Sequence, residues 1–405
     1  MVIVPPARVV PANMSESTQR FPAMLVLEDG RAFFGRGFGV PAARFGEVVF
    51  NTGLTGYQEI LTDPSYTGQI VVMTQPMIGN TGVNRDDPEA ADMRATGLIV
   101  RELARRTSNW RADADLPTQM RARGIGGLAE IDTRALVRHL RTHGALRGVI
   151  APATEAPEAW LATLREQPLM SGRDLASEVT TAQPYPWSTG LPELRQGLGR
   201  GGGLPGAVGR ERPTARQYQV VVYDFGVKRS ILRHLAHVGC RVTVVPAHTS
   251  AEDVLAQRPD GVVLSNGPGD PEPLQTPVAN ARKLLGRVPI LGICLGHQVL
   301  GLACGGRSYK LKFGHHGANH PVAERRTGQV RITSHNHGFA LDPESLPEST
   351  VQITEVDLND GTLEGFKHRE LPAVAVQYHP EAGPGPHDAA PVFREFVELM
   401  QATRS

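Results

Sequence analysis

The 405-residue chain has three cysteines, Cys240, Cys294 and Cys304, an odd number that excludes a complete disulfide framework. No secretory signal accompanies them, so the thiols are expected to be free, in the reducing cytoplasm. The first 20 residues, MVIVPPARVVPANMSESTQR, are interrupted by Pro5, Pro6 and Pro11 and lack the apolar core of a signal peptide. They read as a disordered tail (1–20). A transit peptide has weaker support, since only Arg8 and Arg20 are basic, and translation from Met14 or Met24 is a third reading. An apolar run of about 18 residues is missing, which argues against a membrane span. Charge of one sign is not in excess either: 42 basic and 41 acidic side chains leave +1, so nothing points to nucleic acid or a membrane surface. The P-loop pattern G-x-x-x-x-G-K-[ST] is absent, as are H-E-x-x-H and C-x-x-C.

What is present divides the chain. Its length favours two domains over one core. In the first half (21–187), AMLVLEDGRAFFGRGFG reads as a β-hairpin turning at Asp29-Gly30, with further strands at Val48–Phe50 and Ile70–Thr74. EIDTRALVRHLRTHG reads as a helix capped by Asp132 or Thr133, with Leu136 and Leu140 on one face and Gly144 at its end. Strands and helices mix without regular alternation, so this half is α+β. Residues 188–217, rich in Gly, Pro and Arg, read as a flexible linker; without interleaved aromatics the arginines do not suggest nucleic-acid contact.

The second half (218–405) alternates apolar strands with helices: QVVVYDFG, KRSILRHLAHVG, CRVTVVPA, SAEDVLAQ, GVVLSNGPGD, a helix through Val278–Leu285, VPILGI and LGHQVLGLACGG. Continuous apolar strands in such alternation imply an α/β fold with a doubly wound, mostly parallel sheet. Gly292-Ile293-Cys294-Leu295-Gly296 falls at a strand-to-helix junction and has the form of a nucleophile elbow with Cys in place of Ser. Glycines on either side remove side chains that would clash in so sharp a turn, and the helix N-terminus favours thiolate. The Leu295 N–H is placed for an oxyanion hole. Cys240 and Cys304, inside apolar patterns, read as structural.

A nucleophile needs a base. AVAVQYHPEAGPGPHD offers His379 at a strand end and Glu381 two residues on; if the strand continues through Pro380, both side chains leave on one face and Glu381 can orient the imidazole. SNGPGD (265–270) ends a neighbouring strand, and Gly267 and Gly269 let backbone N–H groups approach a ligand. This turn carries neither phosphate-binding glycine pattern. Histidines cluster in FGHHGANHP (His315, His316, His320) and SHNHGFA (His335, His337). Zinc is the tempting reading, but without accompanying ligand motifs no metal is expected.

These residues resemble class I glutamine amidotransferases, with the order Cys, His, x, Glu. GEVVFNT, LTGYQEILTDPSY, IDTR, YDFGVKR, SNGPGDP, GICLGHQ, KFGHHGANHPV, NHGFA and HPEAGPGPHDAAP extend the resemblance over about 21–400 to the small subunits of carbamoyl phosphate synthetases. The N-terminal motifs make it specific. The resemblance implies that Cys294 attacks the glutamine amide, His379 acts as base and then acid, and Glu381 orients it. It implies backbone donors at Leu295 and Gly267. It implies L-glutamine contacts from Gln298, Gly269, Asn336, Gly338, Phe339 and, from the first half, Ser65. It also implies a large-subunit partner that holds ATP, Mg and bicarbonate and receives ammonia through a tunnel, with no cofactor in this chain. The product, carbamoyl phosphate, would serve arginine and pyrimidine synthesis. The tail and linker depart from the family pattern, and His335 stands where Gln or a similar polar group is expected, with little effect foreseen.

Two rivals have different consequences. A stand-alone cysteine hydrolase, such as a peptidase or γ-glutamyl hydrolase, would need no first half; residues 21–187 argue against it. A non-catalytic scaffold would not need Cys294, His379 and Glu381.

Overall fold

The computed structural model describes residues 20–192 and 217–404. The expected tail, apart from Arg20, and the expected linker, apart from its ends, lie outside the described residues.

The first unit contributes nine strands: β1 (Phe21–Leu27), β2 (Ala32–Gly39), β3 (Arg44–Asn51), β4 (Gln69–Met73), β5 (Met77–Ile78), β6 (Gly97–Ile99), β7 (Glu102–Leu103), β8 (Gly126–Ala129) and β9 (Leu146–Pro152). Seven close into a barrel in the order β1-β2-β8-β6-β4-β3-β9, while β5 and β7 pair apart. The expected hairpin joins β1 to β2: Gly30 has φ 92°, and Asp29 accepts a hydrogen bond from the Arg31 N–H at 3.0 Å. Alternation along β1 sends Ala23, Leu25 and Leu27 to one apolar cluster and Met24 and Val26 to another. The helix Thr133–His143 lays Leu136 and Leu140 on the first of these. Asp132, not Thr133, caps it, accepting from the Ala135 N–H, and Gly144 ends it at φ 99°.

The second unit is a ten-stranded sheet of β10 (Tyr185–Trp187), β11 (Tyr218–Asp224), β12 (Cys240–Pro246), β13 (Gly261–Leu264), β14 (Ile290–Ile293), β15 (Ser308–Glu324), β16 (Val330–Leu341), β17 (Val351–Asp357), β18 (Leu363–His368) and β19 (Ala373–Val376). Its order is β10-β12-β11-β13-β14-β19-β18-β17-β15-β16. The strands β12, β11, β13, β14 and β19 are parallel, as the β–α alternation implied. Val220 and Val222 face one apolar cluster, Val221 and Tyr223 the other, which explains an unbroken apolar run in a strand buried on both faces. The run from β15 to β18 is an antiparallel addition that the sequence pattern did not display. One boundary moves: Tyr185–Trp187, expected in the first unit, pairs antiparallel with β12 and covers that edge of the second sheet. Pro186 suits such an edge, where a missing N–H costs no ladder bond. Among the described residues no helix is long and apolar enough to cross a membrane.

Candidate active site

Cys294 sits between β14 and the helix Leu295–Ala303 with φ 53° and ψ −105°, a conformation that L-residues adopt only under local constraint. The constraint is visible in the two glycines. A Cβ on Gly292 would lie 2.6 Å from the Gly296 carbonyl oxygen, and one on Gly296 only 2.0 Å from that of Leu264. The elbow therefore tolerates no side chain on either flank. Cys294 is 1% exposed; its sulfur lies 3.6 Å from the Asn336 carbonyl oxygen and 3.6 Å from Nε2 of Gln377.

His379 faces this sulfur, and its Nδ1 lies 2.7 Å from Oε1 of Glu381. Strand continuation is not what makes the pair, because β19 stops at Val376. Instead the His379 N–H donates to the Ser334 carbonyl at 2.8 Å, and a tight turn returns the Ala382 N–H to the His379 carbonyl at 3.1 Å, with Ala382 at φ 57°. Lys228, at the carboxyl end of β11, donates from Nζ to Glu381 at 2.8 Å and to the Ala382 carbonyl at 2.6 Å. Burial opposes charge on His379, and so does Lys228; Glu381 and Cys294 outweigh both and raise the imidazole pKa. For Glu381, burial would raise the pKa, but Lys228 and His379 hold the carboxyl below its ordinary range. Lys228 is in turn kept charged against burial by Glu381, Glu89 and Asp63.

Beside the sulfur opens a cleft. Cys294, Leu295, Gln298, Gly267, Gly269, Asn336, Gly338, Phe339 and Ser65 all line it, so every residue singled out for glutamine binding meets the nucleophile in one space. Gly267 must be glycine, since a Cβ there would lie 2.2 Å from the Phe225 carbonyl oxygen; Gly269 has φ 88°. Gln298 is locked by donating to the Phe339 carbonyl at 2.7 Å and to Gln377 at 3.0 Å.

Both units build this cleft. Asn266 Nδ2 donates to Ser65 Oγ at 2.9 Å, and Asn336 Nδ2 donates to Asp63 at 2.8 Å. Glu89 of the first unit accepts from the Ser230 N–H at 2.9 Å and the Ser230 hydroxyl at 2.6 Å, next to Lys228. Sequence reasoning did not find Lys228, Gln377, Asp63 or Glu89. For Lys228 a signal existed: a lone lysine closing the apolar run YDFGVK, at the end of the sheet where the elbow opens. Among the described residues two groups have metal-ligand chemistry, His315/His335/His337/Glu364 and His315/His320/Asp357.

An elbow cysteine on a parallel sheet, with a His–Glu pair opposite, defines a class I glutamine amidotransferase domain, and the family model Glutamine amidotransferase class-I matches residues 221–399. The model Carbamoyl-phosphate synthase small chain, CPSase domain, matches residues 25–150, within the barrel unit. Proteins named carbamoyl phosphate synthase small chain are similar along nearly their whole length. That of Syntrophotalea carbinolica is 52% identical, covering 94% of this chain and 98% of its own. That of Synechococcus is 50% identical over 95% and 94%, and that of Vibrio parahaemolyticus 51% over 94% and 98%. The chain belongs to the carbamoyl phosphate synthase small-chain family.

Proposed function

We propose that this chain is the glutaminase subunit of a carbamoyl phosphate synthase. The observation that carries the proposal is the convergence of Cys294, the His379–Glu381 pair and a cleft walled by both units. His379 takes the proton of the Cys294 thiol as the sulfur attacks the side-chain carbonyl carbon of L-glutamine, and backbone N–H groups at Leu295 and Gly267 stabilise the oxyanion. The imidazolium of His379 gives its proton to the departing nitrogen, so ammonia leaves and a γ-glutamyl thioester remains. His379 then takes a proton from water as it adds to the thioester, and glutamate and the thiolate are regenerated. Glu381, itself gripped by Lys228, orients the imidazole and stabilises its charge. Ser65, Gly269, Gln298, Asn336, Gly338 and Phe339 hold the glutamine.

Ammonia then passes to a large subunit, where ATP, Mg and bicarbonate are bound and carbamoyl phosphate is made for arginine and pyrimidine synthesis. A second cavity, lined by Asp63, Lys228, Asn336, His379 and Pro384, adjoins the first at Asn336 and supports a way out other than the glutamine entrance. The three unpaired thiols are in keeping with a cytoplasmic enzyme.

The test is glutamine hydrolysis by the purified chain, with and without a large subunit, ATP and bicarbonate. Weak hydrolysis that rises with the partner supports the proposal. Hydrolysis indifferent to the partner would instead favour the stand-alone hydrolase.

A further inference from the structure

Four side chains from three strands converge beside the cleft, which His337 also lines: His315 from β15, His335 and His337 from β16, and Glu364 from β18. His315 and His337 are direct partners across the β15/β16 ladder, and the two-residue spacing puts His335 and His337 on one strand face. All four are buried, and their facing atoms lie within 4.8 Å of one another.

The outer nitrogen of each imidazole has a partner that fixes its proton. His315 Nε2 meets the Asp360 carboxylate at 2.8 Å, which only accepts. His335 Nε2 meets Thr333 Oγ1 at 2.7 Å, and that hydroxyl already donates to the His320 carbonyl. His337 Nδ1 meets the Phe339 carbonyl at 2.8 Å. Each outer nitrogen therefore carries a hydrogen, and His315 Nδ1, His335 Nδ1 and His337 Nε2 all turn inward. They point at a carboxylate, fully buried, neither of whose oxygens has a hydrogen-bond partner. Ring nitrogens and carboxylate oxygens crowded together in this way need protons or a cation between them.

Hydrogen bonds meet only part of that need. One proton could join His335 Nδ1 to His337 Nε2 at 3.2 Å. The distances to Glu364, 3.8 Å from His315 Nδ1 to Oε1 and 3.6 Å from His335 Nδ1 to Oε2, exceed hydrogen-bond reach. A tetrahedron with bonds of about 2.0–2.1 Å to zinc has edges of roughly 3.3 Å, so a bound ion would draw these groups together by a few tenths of an ångström. The Asp360–His315 pair is the outer-sphere arrangement that orients metal-bound imidazoles.

We propose that His315, His335, His337 and Glu364 form a closed, four-coordinate site for a divalent cation of the zinc type. With every position taken by protein, the ion is structural, and it staples β16, which carries Asn336, Gly338 and Phe339 of the cleft wall, to β18 in the body of the sheet. Absence of an H-E-x-x-H or C-x-x-C spacing argued against metal in the sequence; the fourth ligand comes from a separate strand, and no local spacing announces it.

The experiment is metal analysis of the full-length chain after exhaustive dialysis, followed by titration of metal-stripped protein with Co²⁺. About one equivalent of retained zinc per chain, visible bands of tetrahedral Co²⁺, and loss of both in Glu364→Gln and in His335→Gln would support the site. Circular dichroism establishes that each variant is folded. If one variant fails to fold, the other carries the comparison, and zinc-dependent Tm of the wild-type chain gives a variant-free readout. Substoichiometric metal with no Co²⁺ spectrum, or stoichiometric binding that survives both substitutions, would overturn it.

Discussion

Ser65 and Asn266 are 201 positions apart, yet Asn266 Nδ2 donates to Ser65 Oγ at 2.9 Å in a buried setting. One belongs to the barrel unit and one to the turn that flanks the nucleophile elbow. Ser65→Ala should therefore act at the cleft and at the seam between units. The expected result is a KM for glutamine raised about 10-fold with a smaller change in kcat, equivalent to about 1.4 kcal/mol of binding. Steady-state kinetics decide it; an unchanged KM removes Ser65 from the substrate site.

Cys294→Ser should lower glutamine hydrolysis about 10³-fold or more while leaving Tm nearly unchanged, since the hydroxyl fills almost the same buried space. Thermal unfolding beside the activity assay separates the two effects. Retained turnover would mean another nucleophile.

The pH profile should respond to Glu381→Gln in a defined direction. His379 has a raised pKa, so its imidazolium persists above the ordinary imidazole range and is lost as pH rises through the raised value. Removing the Glu381 charge removes the main raising influence. The alkaline limb of the hydrolysis profile should move to lower pH, with kcat down about 10²–10⁴-fold. An alkaline limb that stays in place while kcat falls would separate orientation from electrostatics.

Lys228→Met should destabilise the fold by about 3–5 kcal/mol, because it strands the buried carboxylates Glu381 and Glu89. The urea midpoint reads this. Combining it with Glu381→Gln should cost less than the sum of the two single losses, since the pair shares one interaction. Strict additivity would show that the ion pair contributes nothing.

Gly296→Ala should damage the elbow. Its Cβ would enter the Leu264 carbonyl at 2.0 Å, so helix or strand must shift. A loss of roughly 1–3 kcal/mol is expected, with a disproportionate fall in reactivity of Cys294 toward an alkylating agent. Normal alkylation in a stable variant would show that the turn has room to spare.

The elbow was legible because its steric demand is local: two glycines flank one cysteine between an apolar strand and a helix. The parallel strands were legible for the same reason, their apolar runs being contiguous. β15 was not. Its seventeen residues mix buried and exposed positions without a steady period, and its pairing with β16 shifts register between Lys310 and His315 and again between Gly317 and His320. A period-2 reading fails at each shift. Nor could spacing announce Glu89 beside Ser230, 141 positions away, or the turn that pairs His379 with Glu381 without a strand.

Glu89 has one more consequence. It lies in the barrel unit, but its charge is felt at Lys228, which grips Glu381, which governs His379. The seam between units is thus wired into the proton affinity of the base. Opening that seam by the length of one hydrogen bond would detune the base and, at the same time, draw Ser65 away from the cleft.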